Sequence, residues 1–142
     1  MKKNKEDTIY FEKIGWKFSQ FKNQLSKENN FSLALYKDDL MISFVIGDII
    51  SIEKIIEYEI LIIYVNFQSR QLGYASKLLN EISLALSKKN LKKIYLEVSS
   101  DNFSAIKLYN NNNFIKTGVR KNYYNLENKI FDAFLYEKKI YD

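Results

Sequence analysis

A chain of 142 residues, 46% of them hydrophobic, has the length and apolar content for one globular core, burying roughly 68–70% of its unfolded surface. It contains no cysteine, histidine or proline, which excludes disulfides, Cys or His metal sites, Cys nucleophiles and Ser-His catalysis together. The formal net charge of +5 is compatible with RNA or an anionic cofactor, but the abundance of Lys, Asn and Ile equally fits an AT-rich genome that enriches lysine without functional cause.

No apolar run approaches the roughly 18 residues of a membrane span. The start, Met1 to Asp7, has no apolar signal core behind it, so the expected location is cytoplasmic. Trp16, Phe18, Phe21 and Leu25 recur at near-helical spacing and predict a short amphipathic helix over 16–28. Phe31 to Lys37 alternates as a strand, and Lys37-Asp38-Asp39 reads as a hairpin turn. Leu40 to Ser51 is a second strand, with Gly47 marking a bulge, and residues 55–66 form a third after Glu53-Lys54. Their connections are too short for crossovers, so these three strands are expected to be antiparallel.

Ala75, Leu78, Leu79, Ile82, Ala85 and Leu86 share one helical face, and Asn90 is a natural stop. Lys93 to Val98 is a strand reached over that helix and should run parallel to the third strand. Asp101 or Asn102 can cap a helix over about 103–111. Phe114 to Tyr124 and Ile130 to Ile140 complete the chain around a polar loop, Asn125 to Lys129. The fold class is α+β, a mixed and mostly antiparallel sheet with helices on its faces, in a single domain over 1–142.

The turn Arg70-Gln71-Leu72-Gly73-Tyr74-Ala75 stands between a buried strand and an amphipathic helix. Such a turn aims free backbone N–H groups and the positive end of the helix dipole at one point, and so binds phosphate. Arg70 adds a fork-shaped donor at its mouth. Taken alone, the turn is equally a generic strand-helix connection; it matches neither a Walker loop nor a dinucleotide fingerprint.

Downstream residues bear on that choice. Arg70-x-x-Gly73-x-Ala75 resembles the Q/R-x-x-G-x-G/A motif of the GNAT superfamily of acetyl-CoA-dependent N-acetyltransferases. Leu96-Glu97-Val98, Asn102, Ala105, Leu108-Tyr109 and Asn113-Phe114 resemble the block that follows it in that family. Arg120-Lys121-Asn122-Tyr123-Tyr124 and Asp132-Ala133 are similar to the ribosomal-protein-alanine N-acetyltransferases of the RimI type. The resemblance implies one GNAT-like domain whose parallel strand pair splays open to admit acetyl-CoA. By the same resemblance, the pyrophosphate rests on the amides of Gln71, Leu72, Gly73, Tyr74, Ala75 and Ser76. Ile63, Tyr64 and Val65 face the pantetheine arm, which Asn102 helps to hold, and an N–H near Val65 polarises the thioester carbonyl. Glu97 is then the general base, working through a water, and Tyr109 the acid that protonates the leaving thiolate. Tyr123 and Tyr124 wall the acceptor pocket. Without the resemblance, Glu97 reads as a solvated strand-end carboxylate, Tyr109 as a core aromatic and Tyr123-Tyr124 as ordinary strand residues.

The implied activity is direct acetyl transfer to a protein N-terminal α-amine, with a ribosomal protein as acceptor and no metal. An α-amine has a reference pKa near 7.7–8.0 against about 10.4 for lysine, so its deprotonation costs roughly 3 kcal/mol less. A polyamine, a small amine or a lysine is the alternative acceptor, and a non-catalytic CoA-binding module the alternative role. An RNA-binding role fits the charge, but the lysines are scattered and no aromatic-basic platform motif occurs, so no direct nucleic-acid role is expected. Several positions depart from the RimI pattern: Asn113 stands for a glycine, Ala75 for the second turn glycine, Ile62 for an Asn and Phe131 for an acidic residue. The segment before Trp16 is short for the usual first strand.

Overall fold

The computed structural model describes residues 18–126 and 128–141. Among them the apolar periodicities resolve into α1 (Phe18–Leu25), β1 (Asn30–Lys37), β2 (Leu40–Ile52), β3 (Ile55–Val65), α2 (Tyr74–Leu86), β4 (Leu91–Ser99), α3 (Phe103–Asn111), β5 (Ile115–Leu126) and β6 (Lys129–Lys139). The strands form one sheet in the order β1-β2-β3-β4-β6-β5. Every neighbouring pair is antiparallel except β3 and β4. The crossover through α2 explains that exception, because a parallel return needs a long connection. No helix among the described residues is long and apolar enough to cross a membrane.

Local chemistry sets the boundaries. Asp38 and Asp39 both take positive φ (51° and 63°) between the paired residues Lys37 and Leu40, which is the two-residue hairpin that matches strand twist. Asn90 ends the helical segment at φ 61°, and its amide nitrogen donates to the Lys54 carbonyl at 2.9 Å. Asn113 takes φ 67°, the left-handed conformation that glycine and asparagine adopt at helix ends, and Phe114 N–H closes onto the Tyr109 carbonyl at 3.0 Å.

Two expected boundaries shift. The first helix, expected to reach residue 28, stops at Leu25, and the Ser26 amide folds back on Lys22 and Asn23 because the next residues offer nothing apolar to bury. Trp16 and the segment before it lie outside the described residues. The expected polar loop at Asn125–Lys129 is mostly strand, with Leu126 paired to Lys129. Polarity misled there: an edge hairpin can extend its backbone ladder over residues that bury nothing.

The feature that positions a site is a failure of pairing. β3 and β4 pair from Ile56↔Leu91 to Ile60↔Leu96, with one shift between Ile56 and Glu57, and there their pairing stops. Beyond that point β3 stays with β2 as far as Val65↔Ser43, while β4 stays with β6 as far as Ser99↔Ala133. The parallel pair is therefore splayed, as expected from the resemblance.

A bulge sits at the apex of the splay. Ile46 pairs with Ile62 but Gly47 with Ile60, leaving Leu61 as an extra residue on β3. The strand changes faces there. Ile56, Tyr58 and Ile60 pack in a cluster with Leu78, Leu79, Ile82 and Leu86 of α2, whereas Ile62 and Tyr64 pack with Phe21 of α1, Phe44 and Ile46. Gly47 is required by space: a Cβ would stand 2.3 Å from the Glu59 carbonyl and 2.4 Å from the Tyr58 ring.

Candidate active site

The gap between the diverging strands is bounded by three pieces of local structure. The first is the turn into α2. Gln71 and Gly73 take left-handed φ values of 62° and 86°, and no atom lies within 4 Å of where a Cβ on Gly73 would project. The first bond of the helix is Lys77 N–H to the Gly73 carbonyl. The amides of Gly73, Tyr74, Ala75 and Ser76 precede that ladder, and no side-chain hydrogen bond caps the helix end. An open glycine turn with the donors of a 13-residue helix behind it fits a pyrophosphate. Ser76 is pinned from the far side by the Asn112 amide at 3.0 Å, which fixes this end of α2 against the end of α3.

Arg70 is exposed, but its Nε donates to the Val65 carbonyl at 3.0 Å and its guanidinium lies over the rings of Tyr64 and Phe67. That bond ties the turn to the end of β3. Ile63, Tyr64 and Val65 form the β3 side of the gap; Tyr64 is buried against Phe44 with ring centroids 5.4 Å apart. Asn102 takes one of the two cap positions expected from the sequence. Its Oδ1 accepts from Ala105 N–H at 3.3 Å, so this oxygen serves as the cap of α3.

The second piece is the face under α2 and α3, where Tyr109 is buried among Phe114 and Tyr136. The third is the opposite face. Leu96 and Val98 point into the α2 cluster, so Glu97 between them points away from it. Glu97 and Tyr109 therefore stand on opposite faces of the sheet, one at the strand end and one on the helix that follows.

Around Glu97 the second face is polar. Arg120 reaches across β6 and holds the Glu97 carboxylate at 3.0 Å. The Arg120 guanidinium also lies 5.4 Å from the Tyr123 ring centre, and Tyr123 meets Tyr124 edge-on at 5.1 Å. Burial pushes the Tyr124 hydroxyl up to about 12, and the nearby charge of Glu97 adds to the shift. Tyr124 therefore stays a neutral donor at physiological pH. The structure thus brings Glu97, Tyr123 and Tyr124 together.

Two participants had no place in the sequence-based site. Arg120 is one. Glu59 is the other: it pairs with Asp48 on one side and Tyr95 on the other, one residue before the splay begins. Burial raises its carboxyl above the usual carboxylate range; the Tyr95 hydroxyl bonded to it opposes this, while Asp48 and Glu97 reinforce it. Its signal in the sequence was the alternation Glu57-Tyr58-Glu59-Ile60, acidic residues on one face of a strand whose other face is core.

The model of the acetyltransferase (GNAT) family matches residues 3–114, most of the chain. The chain belongs to the GNAT acetyltransferase family. The GNAT fold is equally clear in solved structures. The *Escherichia coli* ribosomal-protein-S18-alanine N-acetyltransferase superposes with a TM-score of 0.78 at 25% identity, over 88% of this chain and 77% of that one. *Arabidopsis thaliana* NAA60 with a bisubstrate analogue gives 0.80 at 23% identity, over 94% and 88%. *Arabidopsis thaliana* Naa50 with the bisubstrate analogue CoA-Ac-MVNAL gives 0.74 at 23%, over 98% and 97%. Comparison with curated protein sequences gives no significant match.

As a GNAT enzyme the chain is an acyltransferase that uses acetyl-CoA. The glycine turn and the helix end behind it suit the anionic end of that molecule, and the gap beside β3 suits its extended arm. Carboxylates lie on one face of the sheet and the buried phenol of Tyr109 on the other.

Proposed function

We propose that this GNAT enzyme acetylates the N-terminal α-amine of a protein, a ribosomal protein in the first instance, by direct transfer. The observation that carries the reading is the placement of Glu97 and Tyr109 on opposite faces of the sheet, one at the end of β4 and one on the helix that follows. A protonated amine has no lone pair, so a base must act on the acceptor's side while an acid serves the departing thiolate. Glu97, one-quarter exposed and held by Arg120, is the base, acting through a water. Tyr109 is the acid. The amides of Gln71 to Ser76 hold the pyrophosphate, Ile63 to Val65 line the pantetheine arm beside Asn102, and an N–H near Val65 polarises the carbonyl. The thioester supplies the activated acetyl group; everything else is positioning and proton transfer.

Tyr123 and Tyr124 wall the acceptor side. An α-amine suits a lone carboxylate base, because freeing it near neutral pH costs roughly 3 kcal/mol less than freeing a lysine. The *Escherichia coli* neighbour, which acts on the alanine of ribosomal protein S18, supports the same acceptor class. That acceptor places the chain in the cytoplasm. A polyamine or other small amine is the second reading, favoured by the acidic side chains Asp48, Glu59 and Glu97 on the acceptor face. The deciding experiment incubates the protein and acetyl-CoA with an alanine-initiated peptide, the same peptide blocked at its N-terminus, and spermidine, and reads products by mass spectrometry. Acetylation of the free peptide alone is expected. Modification of spermidine or of the blocked peptide's lysine instead would overturn the α-amine assignment.

A further inference from the structure

β5 and β6 pair with one shift at Thr117 and then regularly from Gly118↔Leu135 to Arg120↔Ala133, and the next pairing is Tyr124↔Phe131. Lys121, Asn122 and Tyr123 therefore stand opposite the single residue Asp132. Three backbone units against one cannot continue a ladder, and the excess lies on an edge strand. Asp132 supplies what the ladder lacks. Its Oδ1 accepts the Asn122 N–H at 2.9 Å and its Oδ2 meets Lys121 Nζ at 3.4 Å, with Asn122 at a left-handed φ of 54°. The backbone hydrogen bond, followed by the Lys121 contact, holds the Asp132 carboxyl below its usual range, so it is ionised at neutral pH.

We infer that Asp132 is a positioning residue for the acceptor, its carboxylate fixing the Lys121–Tyr123 bulge and with it the Tyr123–Tyr124 pair and Arg120 beside Glu97. The residues flanking and forming the bulge are those that define the acceptor wall: Arg120 before it, Tyr123 at its end, Tyr124 after it. If the bulge slips, the edge-on ring pair and the Arg120–Glu97 contact lose their common anchor. The main chain of Asp132 has a separate duty. Its carbonyl accepts the Ser100 N–H at 2.9 Å, where β4 leads toward Asn102. A side-chain substitution leaves that bond in place, so the acetyl-CoA side is insulated from the acceptor side.

The inference rests on the reading of Tyr123 and Tyr124 as acceptor walls, and its test separates the two. The full chain is compared with Asp132→Ala, Asp132→Asn and Lys121→Ala, using acetyl-CoA and an alanine-initiated peptide as probes. Asp132→Ala should raise the acceptor KM about tenfold, the equivalent of one lost hydrogen bond, with the acetyl-CoA Kd unchanged. Asp132→Asn keeps an oxygen for the Asn122 amide and should recover most of the loss, and Lys121→Ala should change little. A merely structural role would lower the melting temperature without this split. An unchanged acceptor KM in Asp132→Ala, or a Kd for acetyl-CoA that weakens in step with it, overturns the inference. Exchange of the Asn122 amide, read by NMR without any acceptor, should be slow in the native chain and in Asp132→Asn and fast in Asp132→Ala; slow exchange in all three also overturns it. Failure of the native chain to use the peptide sinks the α-amine reading instead, and the same variants are then compared on whichever amine is acetylated.

Discussion

Glu97 forms an ion pair with Arg120 and is one-quarter exposed, so its contribution depends on ionisation more than on shape. Glu97→Gln keeps the volume and removes the base. Turnover should fall about 100-fold while calorimetry finds acetyl-CoA affinity intact. Tyr109→Phe retains the ring contacts with Phe114 and Tyr136 and should lower kcat with a comparably small effect on binding. Full activity in both variants would remove them from the mechanism. Glu59 carries a different signature. Its carboxyl is raised by burial, so the folded state holds this proton more tightly than the unfolded chain does. Stability from this group is fully present below the unfolded value and declines as pH rises through the folded one. Glu59→Gln, which never ionises, should melt higher than the native chain at about pH 8 and lose that advantage at about pH 4. Thermal unfolding at the two pH values decides it; a variant that melts lower at both would contradict the burial argument.

At the scale of elements, two glycines act for different reasons. Gly47 lies under Tyr58 and against the Glu59 carbonyl at the bulge that turns β3 from one face to the other. Gly47→Ala must push backbone, and should cost about 1–3 kcal/mol in urea unfolding. Gly73 has open space where its side chain would be but a φ of 86°. Gly73→Ala should cost about 1–2 kcal/mol for the left-handed conformation and also weaken acetyl-CoA binding, because the methyl enters the cradle. Loss of binding affinity in Gly73→Ala beyond that in Gly47→Ala is the discriminating result. These elements were legible in sequence to different degrees. The α2 face and β1 follow from periodicity, the α3 span from its cap, and Gly47 pointed to the bulge. The sequence did not show that the extra residue is Leu61 on the partner strand, since a bulge is a relation between two strands.

For the whole molecule, the gap and the glycine turn exist together only when folded, so acetyl-CoA should bind the native state alone. At about a hundred times its Kd it should stabilise the chain by about 2.7 kcal/mol, raising the melting temperature accordingly. An unchanged melting temperature would show that the turn does not hold it. The sequence by itself determined the α+β class, the one parallel pair, the glycine turn and the family motifs. Each of these rests on short-range pattern: the spacing of apolar residues, the length of a connection, the residue types around a turn. Only the tertiary structure decided which face each residue serves. It placed Glu97 and Tyr109 on opposite sides of the sheet, tied Arg70 to the Val65 carbonyl and set Asn102 as the cap of α3. It also brought Glu59 and Arg120 beside Glu97, and Asp132 to the Asn122 amide. The physical reason is that a bulge reverses the alternation downstream of it, and hydrogen bonds between β3, β4, β5 and β6 join residues tens of positions apart.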